Sequence, residues 1–318
     1  MQYQRSILVL ILILIVPMAS VADSGSYEIN QACVEDGCFE GDSSGFPIEI
    51  SSSGNYSLTS SINVADTDTH AIHILVDNVR LDLGGNTIQG PNVCDMETET
   101  CSPGGGGRGI KLADFADRKG IHIANGQIDG FGNYCMSVGF AGYGADLTLS
   151  NCFAGTGAGR GAVLERVRSY NNRYGIDITG EAILRHSTSV DNIVNGVQVN
   201  TDDRRVIMER NQIHDNGSSG IHANGPLLAK DNFISDNSIG IRLGGDAAGS
   251  SLEGNVIRKN SSQGIYISNL NGSAGVAISS NALSGNGSSD TSPQISGPDS
   301  TRVIELTPNM CNNSTTCL

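Results

Sequence analysis

The chain has 318 residues, with 19 Lys and Arg against 33 Asp and Glu, and a formal charge of −14. That balance excludes general nucleic-acid binding, which needs a basic face to displace counterions, and docking on anionic membranes. The 41 Gly, 28 Asn and absence of Trp exclude a compact helical protein, because Gly and Asn are poor helix formers, while abundant Val and Ile argue against simple disorder.

In chain order, the first predicted element is an export signal over residues 1–22. Arg5 supplies the positive start, and Ile7–Val16 is an uninterrupted apolar run of ten residues, too short to span a bilayer. Ser20-Val21-Ala22 offers small residues for cleavage, so Asp23 is the predicted mature start. The expectation is a secreted or periplasmic protein with no membrane insertion after cleavage. Residues 23–47 are expected to form an N-terminal cap.

All eight cysteines lie beyond the signal, as the near neighbours Cys33/Cys38, Cys94/Cys101, Cys135/Cys152 and Cys311/Cys317. An even count in an exported chain predicts disulfides. Neighbour pairing is the expectation, although spacing alone leaves the connectivity open. Zinc would need tight C-x-x-C pairs, and there are none. His70 and His73 are an odd number apart, which on a strand would turn them to opposite faces.

The dominant signal is a repeat. Gly175-Ile176-Asp177-Ile178 recurs as Gly196-Val197-Gln198-Val199, Gly220-Ile221-His222-Ala223, Gly240-Ile241-Arg242-Leu243 and Gly264-Ile265-Tyr266-Ile267. A second phrase, Asn-x-Ile/Leu-x-x-Asn, falls between these at Asn211–Asn216, Asn232–Asn237, Asn255–Asn260 and Asn281–Asn286. Periods of 20 to 24 residues fit three short strands joined by tight corners. Alternation puts the two aliphatics of Gly-Ile-x-Ile inward and the middle residue outward. Gly is expected where the chain turns sharply. Asn tolerates the left-handed backbone region and bonds its own turn, and Asn stacked at one corner can form a side-chain ladder. Two Gly-rich stretches, Asn92–Gly107 and Phe140–Arg160, read as insertions at coil corners.

Upstream, Ala71-Ile72-His73-Ile74, Val79-Arg80-Leu81-Asp82-Leu83-Gly84-Gly85-Asn86-Thr87-Ile88, Gly109-Ile110-Lys111-Leu112 and Ile121–Gly132 carry a looser form. With the downstream phrases, this run resembles the secreted right-handed parallel β-helix proteins, the pectin-lyase-like group, over residues 48–306. The resemblance implies an all-β, single-domain solenoid of about eleven coils, from a roughly 22-residue period, with a C-terminal tail at 307–318. It further implies a polysaccharide partner. Many members are pectate or alginate lyases, polygalacturonases or uronate epimerases, and others have no known activity. Asn200-Thr201-Asp202 matches one polygalacturonase motif, but the others are missing here, and glycoside hydrolysis needs two positioned carboxylates.

The outward position of the best repeated strand is Asp177, Gln198, His222, Arg242 and Tyr266 on consecutive coils. Two residues later come Thr179, Asn200, Asn224, Gly244 and Ser268. Acid, imidazole, guanidinium and phenol side by side suit chemistry better than a plain solvated face. The expectation is a uronate-polymer lyase or C5-epimerase with His222 as base, Arg242 as carboxylate clamp and Tyr266 as proton donor. Asp177, Gln198, Asn200, Asn224 and Ser268 would bind substrate. The alternative is a non-catalytic glycan-binding or adhesin-like β-helix of the cell envelope. No motif demands a cofactor. Calcium, which takes oxygen ligands, is the one this Asp- and Asn-rich chain suits best. Oligomeric state is not written in the sequence.

Overall fold

The computed structural model describes residues 25–115, 117–288, 293–312 and 317. The export signal expected over residues 1–22 lies outside them. The described chain is a parallel β-solenoid with hardly any helix: two 3₁₀ turns, at Cys33–Glu35 and Ser300–Arg302, interrupt a succession of short strands. One sheet has 11 strands, one from each coil, running from Ile48–Ile50 to Ile295–Ser296. The larger sheet has 20 strands. It takes two strands from a typical coil, as in Val206–Glu209 and Gln212–His214, which pair with Leu227–Lys230 and Phe233–Ser235 of the next coil. Three strands per coil and eleven coils agree with the repeat arithmetic.

The core follows from alternation. Ile176, Val197, Ile221, Ile241 and Ile265 stand in one register, and Ile178, Val199, Ala223, Leu243 and Ile267 in the next. All are fully buried. Burying such side chains stabilises by about 1.5–3 kcal/mol each.

The two repeated phrases prove to be two sides of one contact. Asn192, Asn216, Asn237, Asn260 and Asn286 form a ladder in which each Nδ2 donates to the next Oδ1 at 2.8–3.1 Å. A parallel ladder joins Asn211, Asn232, Asn255, Asn281 and Asn309 at 2.9–3.0 Å. Each Oδ1 also accepts the backbone N–H of the preceding ladder residue, as Asn237 Oδ1 does from Asn216 at 3.0 Å. The asparagines themselves are not left-handed, although Asn tolerates that region. In the first ladder the residue before each one is: Asp191, Asp215, Asp236, Lys259 and Gly285 have φ of 51°, 55°, 56°, 55° and 60°. That turn aims the following amide into the solenoid. Likewise, the glycines of Gly-Ile-x-Ile are needed for space rather than for sharp turning. A Cβ on Gly220 would meet Asn237 Nδ2 and Gly240 O, both at 2.8 Å.

Of the two expected insertions, only Asn92–Gly107 stands out from the coil. It carries an antiparallel hairpin, Val93–Asp95 with Thr100–Ser102, in which Cys94 faces Cys101. Phe140–Arg160 is instead part of the solenoid, with Tyr143–Ser150 in the large sheet and Ala154–Ala158 in the eleven-stranded one. Its small residues hid the usual aliphatic alternation. Disulfides join Cys33–Cys38, Cys94–Cys101, Cys135–Cys152 and Cys311–Cys317.

Candidate functional site

The outward row of the eleven-stranded sheet is continuous. Backbone register sets Gly157 beside Asp177, then Gln198, His222, Arg242, Tyr266 and Ser296. Neighbouring strands lie about 4.8 Å apart, so each side chain borders the next. Toward the N-terminus the row continues through Lys111, His73 and Glu49; the repeat phrases contained Lys111 and His73, but the expected strip left them out.

At the C-terminal part of the row, His222, Arg242 and Tyr266 occupy successive coils. The Arg242 guanidinium lies over the Tyr266 ring, 5.7 Å from its centroid, a cation–π arrangement. Burial, and then the charge of Arg242, hold the His222 imidazole below its ordinary pKa. It is therefore neutral at neutral pH and able to accept a proton. Its Nδ1 lies 3.4 Å from Nδ2 of buried Asn195, whose amide also reaches Gln198 Oε1 at 3.2 Å. Asn195 thus ties two members of the row together.

Asp177 belongs to a different group. It accepts the Tyr134 hydroxyl at Oδ2, 2.7 Å away, and the Asn200 amide at Oδ1, 3.4 Å away. Asn224 in turn donates to Asn200 at 3.2 Å. Tyr134 spans two coils to reach Asp177 because Gly157 lies between: a Cβ there would meet the ring at 3.2 Å. Arg108 lies over the Tyr134 ring, 5.2 Å from its centroid. Burial raises the Asp177 pKa, opposed by the Tyr134 and Asn200 hydrogen bonds. Burial and the Asp177 charge push the Tyr134 phenol well above its usual value, so it stays a neutral donor.

Ser268 departs from the expected strip, being only 6% exposed. The register between Ile239–Gly245 and Gln263–Leu270 shifts past Leu243, and the simple count of two residues fails there. Thr201 is also buried, and Asp202 and Asp203 lie in an exposed turn beyond the strand. The polygalacturonase-like match therefore does not present its acids from a strand. The His70 and His73 rings do not face apart. Their centroids are 6.3 Å apart, because His70 precedes the strand Ile72–Ile74 and escapes its alternation. Burial, followed by the charges of Lys111, Arg108 and His73, lowers the His70 pKa to about 4, and its Nδ1 accepts the Arg108 N–H at 3.1 Å. Among the described residues, no three His, Cys, Asp or Glu side chains converge as a metal would need, so no step is routed through calcium. No described helix is long and apolar enough to cross a membrane.

Two adjoining clefts flank the N-terminal side of the row and share Phe115 and Thr179. One, of about 310 Å³, is lined by Arg108, Tyr134, Ser137 and Gly157 as well. The other, of about 470 Å³, adds Asp117, Lys119, Phe140, Gly159, Arg160, Gly180 and Arg204. Tyr134, Lys119, Arg160 and Asn195 were invisible to the repeat phrases. Tyr134-Cys135-Met136-Ser137 lacks the Gly-Ile opening, and the others lie at corners.

The pattern described as a right-handed β-helix region matches residues 154–303. Among solved structures, the chain resembles the A-module of a mannuronan C-5 epimerase of Azotobacter vinelandii, with 13% identity over 90% of this chain and 84% of that one, TM-score 0.51. A periplasmic alginate epimerase is similar at 15% identity, over 89% and 83% of the two chains, TM-score 0.53. The Dettilon tailspike protein matches at 16% identity, over 76% of this chain and 56% of that one, TM-score 0.51. Identities this low speak for the fold. No curated protein matches the chain.

Proposed function

For this right-handed parallel β-helix repeat protein, we propose an exported role on an acidic polysaccharide laid along the outward row, with His222, Arg242 and Tyr266 carrying the chemistry of a uronate lyase or C5-epimerase. One observation carries the reading: a base, a permanent cation and a phenol stand on three consecutive coils of one exposed face. The four disulfides suit export to a secreted or periplasmic location. Two of the fold neighbours are epimerases of mannuronan and alginate by name, which supports the substrate class.

The chemistry begins at sugar C5, beside the carboxylate. Arg242 grips that carboxylate and offsets the charge that develops on it as the C5 proton leaves. His222, neutral beside Arg242, takes the proton. Its Nδ1 contact with Asn195 is long enough, at 3.4 Å, for substrate to displace. Tyr266 then protonates the opposite face of C5, giving the epimer, or the departing glycosidic oxygen at C4, giving an unsaturated end.

The test incubates the protein with a panel of uronate polymers and follows absorbance of unsaturated ends together with solvent hydrogen exchange at C5. His222→Ala and Arg242→Ala should each lower turnover by at least about a hundredfold, with folding little changed. Turnover surviving both changes would place the chemistry elsewhere. A second reading is a non-catalytic glycan-binding or adhesin-like module. It is favoured by where the best-formed hollows beside the row lie: the clefts of about 310 and 470 Å³ are lined by residues other than His222, Arg242 and Tyr266. Silence in both readouts, with polymer still bound, is its signature.

A further inference from the structure

The paired clefts flanking the N-terminal part of the row are built unlike its open end. Lys119, Arg160 and Arg204 gather in the larger one, in a chain whose net charge is −14. Among the described residues, the ion pairs engage other basic groups and none of these three. Asp117 is the one acid on that lining. Lys119 Nζ and the Arg160 guanidinium each sit 5.7 Å from the Phe140 ring centroid, so one aromatic ring steadies two cations. Lys119 is set in place by its backbone, which donates to Asp77 Oδ1 at 3.1 Å.

The floor is bare main chain. Gly159 and Gly180 line it without side chains, and they are glycine because the coils pack backbone to backbone there: a Cβ on Gly180 would meet Arg160 N at 2.5 Å, and one on Gly159 the Gly139 carbonyl carbon at 3.3 Å. No side chain fills the space. Through Phe115 and Thr179 the basic cleft opens into the smaller one, where the Tyr134 hydroxyl is held by Asp177. Volumes of about 470 and 310 Å³ lie in the usual range for small-ligand sites, roughly 300–1,000 Å³. Cations at one end, aromatic walls between and, at the other, the Tyr134 hydroxyl fixed by its bond to Asp177 match an acidic sugar: a charged substituent, an apolar ring face and hydroxyls.

We infer that these clefts form a binding subsite, distinct from His222 and Arg242, for an acidic sugar unit whose carboxylate or sulfate group is held by Lys119, Arg160 and Arg204 and whose hydroxyls meet Tyr134. The inference rests on the polysaccharide reading for its ligand class but needs no catalysis. It assigns the chain a fixed grip on acidic saccharide away from the proposed chemistry.

The test is calorimetric binding of short uronate oligosaccharides, their carboxyl-reduced counterparts and a sulfated disaccharide. The Lys119→Ala/Arg160→Ala double variant should bind the acidic ligands at least about tenfold more weakly, the scale for losing hydrogen bonds to a charged group. Both side chains are exposed, so the melting temperature should hold. Tyr134→Phe should weaken binding with no change in its salt dependence, because it removes a hydroxyl and no charge. Arg258→Ala, which removes an exposed cation from the larger sheet, away from both clefts and from the outward row, should bind as the parent does. Preference for the uronates or for the sulfated disaccharide identifies which anion the site takes. Equal binding of acidic and carboxyl-reduced ligands, no binding of any acidic ligand, or affinity untouched by loss of Lys119 and Arg160 would overturn the inference. Failure of the catalytic reading looks different: the parent binds through this cleft and turns over no polymer.

Discussion

At the residue scale, protonation separates the two groups on the outward face. His222 is held below its ordinary pKa by burial and by Arg242. If it is the base, the acid limb of the turnover profile lies below the free-histidine value of 6.5, and Arg242→Lys, which keeps the charge, should leave that limb low while weakening the bidentate grip. An acid limb at or above 6.5 would argue against His222. Asp177 behaves in the opposite sense. Its pKa is raised above 3.8 by burial, so the folded chain binds its proton more readily than the unfolded chain does. Its contribution to stability is therefore greatest at low pH and falls as pH climbs from 3.8 through the raised value. Asp177→Asn keeps an acceptor for the Tyr134 hydroxyl and removes the buried charge. Thermal melts should show the variant at least as stable as the parent at about pH 7 and less stable relative to it near pH 3. A uniform loss at both pH values would mean that packing, and not charge, governs the site.

At the scale of the element, the corner is the unit that holds one coil on the next. Asn237 accepts both the N–H and the Nδ2–H of Asn216 at its Oδ1, at 3.0 and 2.9 Å, and donates to Asn260 at 3.1 Å. Asn237→Leu leaves the buried Asn216 backbone N–H without its acceptor, a cost of about 1–3 kcal/mol, while Asn216 Nδ2 keeps Ser189 O and His214 O. Gly220→Ala drives a Cβ against Asn237 Nδ2 and Gly240 O, and overpacking of this kind costs about 1–3 kcal/mol. Denaturant melts should report a destabilisation of that order for each variant. Because Gly220 and Asn237 touch, the double variant should lose less than the sum of the two. Strict additivity would show that the glycine column and the asparagine ladder act independently.

Across the whole molecule, a solenoid is stabilised by contacts between adjacent coils, so its ends have fewer neighbours than its middle. The last long strand, Val303–Thr307, pairs on one side with Val276–Ser279, and Ile304 and Leu306 are 53% and 63% exposed. Strand Ser219–Ala223 is paired on both sides and its inward residues are fully buried. Native-state hydrogen exchange should protect the amides of Ser219–Ala223 far more than those of Val303–Thr307. Equal protection at both places would mean that the chain opens only as a whole. The acidic charge also has a consequence at this scale. Long anionic polymers are repelled overall, so binding through the Lys119, Arg160 and Arg204 cleft should draw on local cations and weaken steeply with added salt.

The sequence by itself determined the period, the three short strands per coil and the inward aliphatic rows, because alternation and corner residues are local properties that recur every turn. It also placed Asp177, Gln198, His222, Arg242 and Tyr266 side by side, since equal phrases in a solenoid must stack in register. What the repeat could not carry was decided by contacts between coils. Phe140–Arg160 is a coil because its small residues fit beneath larger neighbours, and composition alone made it look like a loop. The left-handed residue precedes the ladder asparagine, because the turn must aim an amide at the neighbouring coil. Ser268 is buried because the register shifts between its strand and the preceding one. Tyr134 meets Asp177 across 43 positions of sequence, over a glycine whose lack of a side chain means nothing until a ring lies across it. Periodicity reports which face a residue occupies; which side chains lean together on that face depends on the space their neighbours leave, and only the folded molecule contains that space.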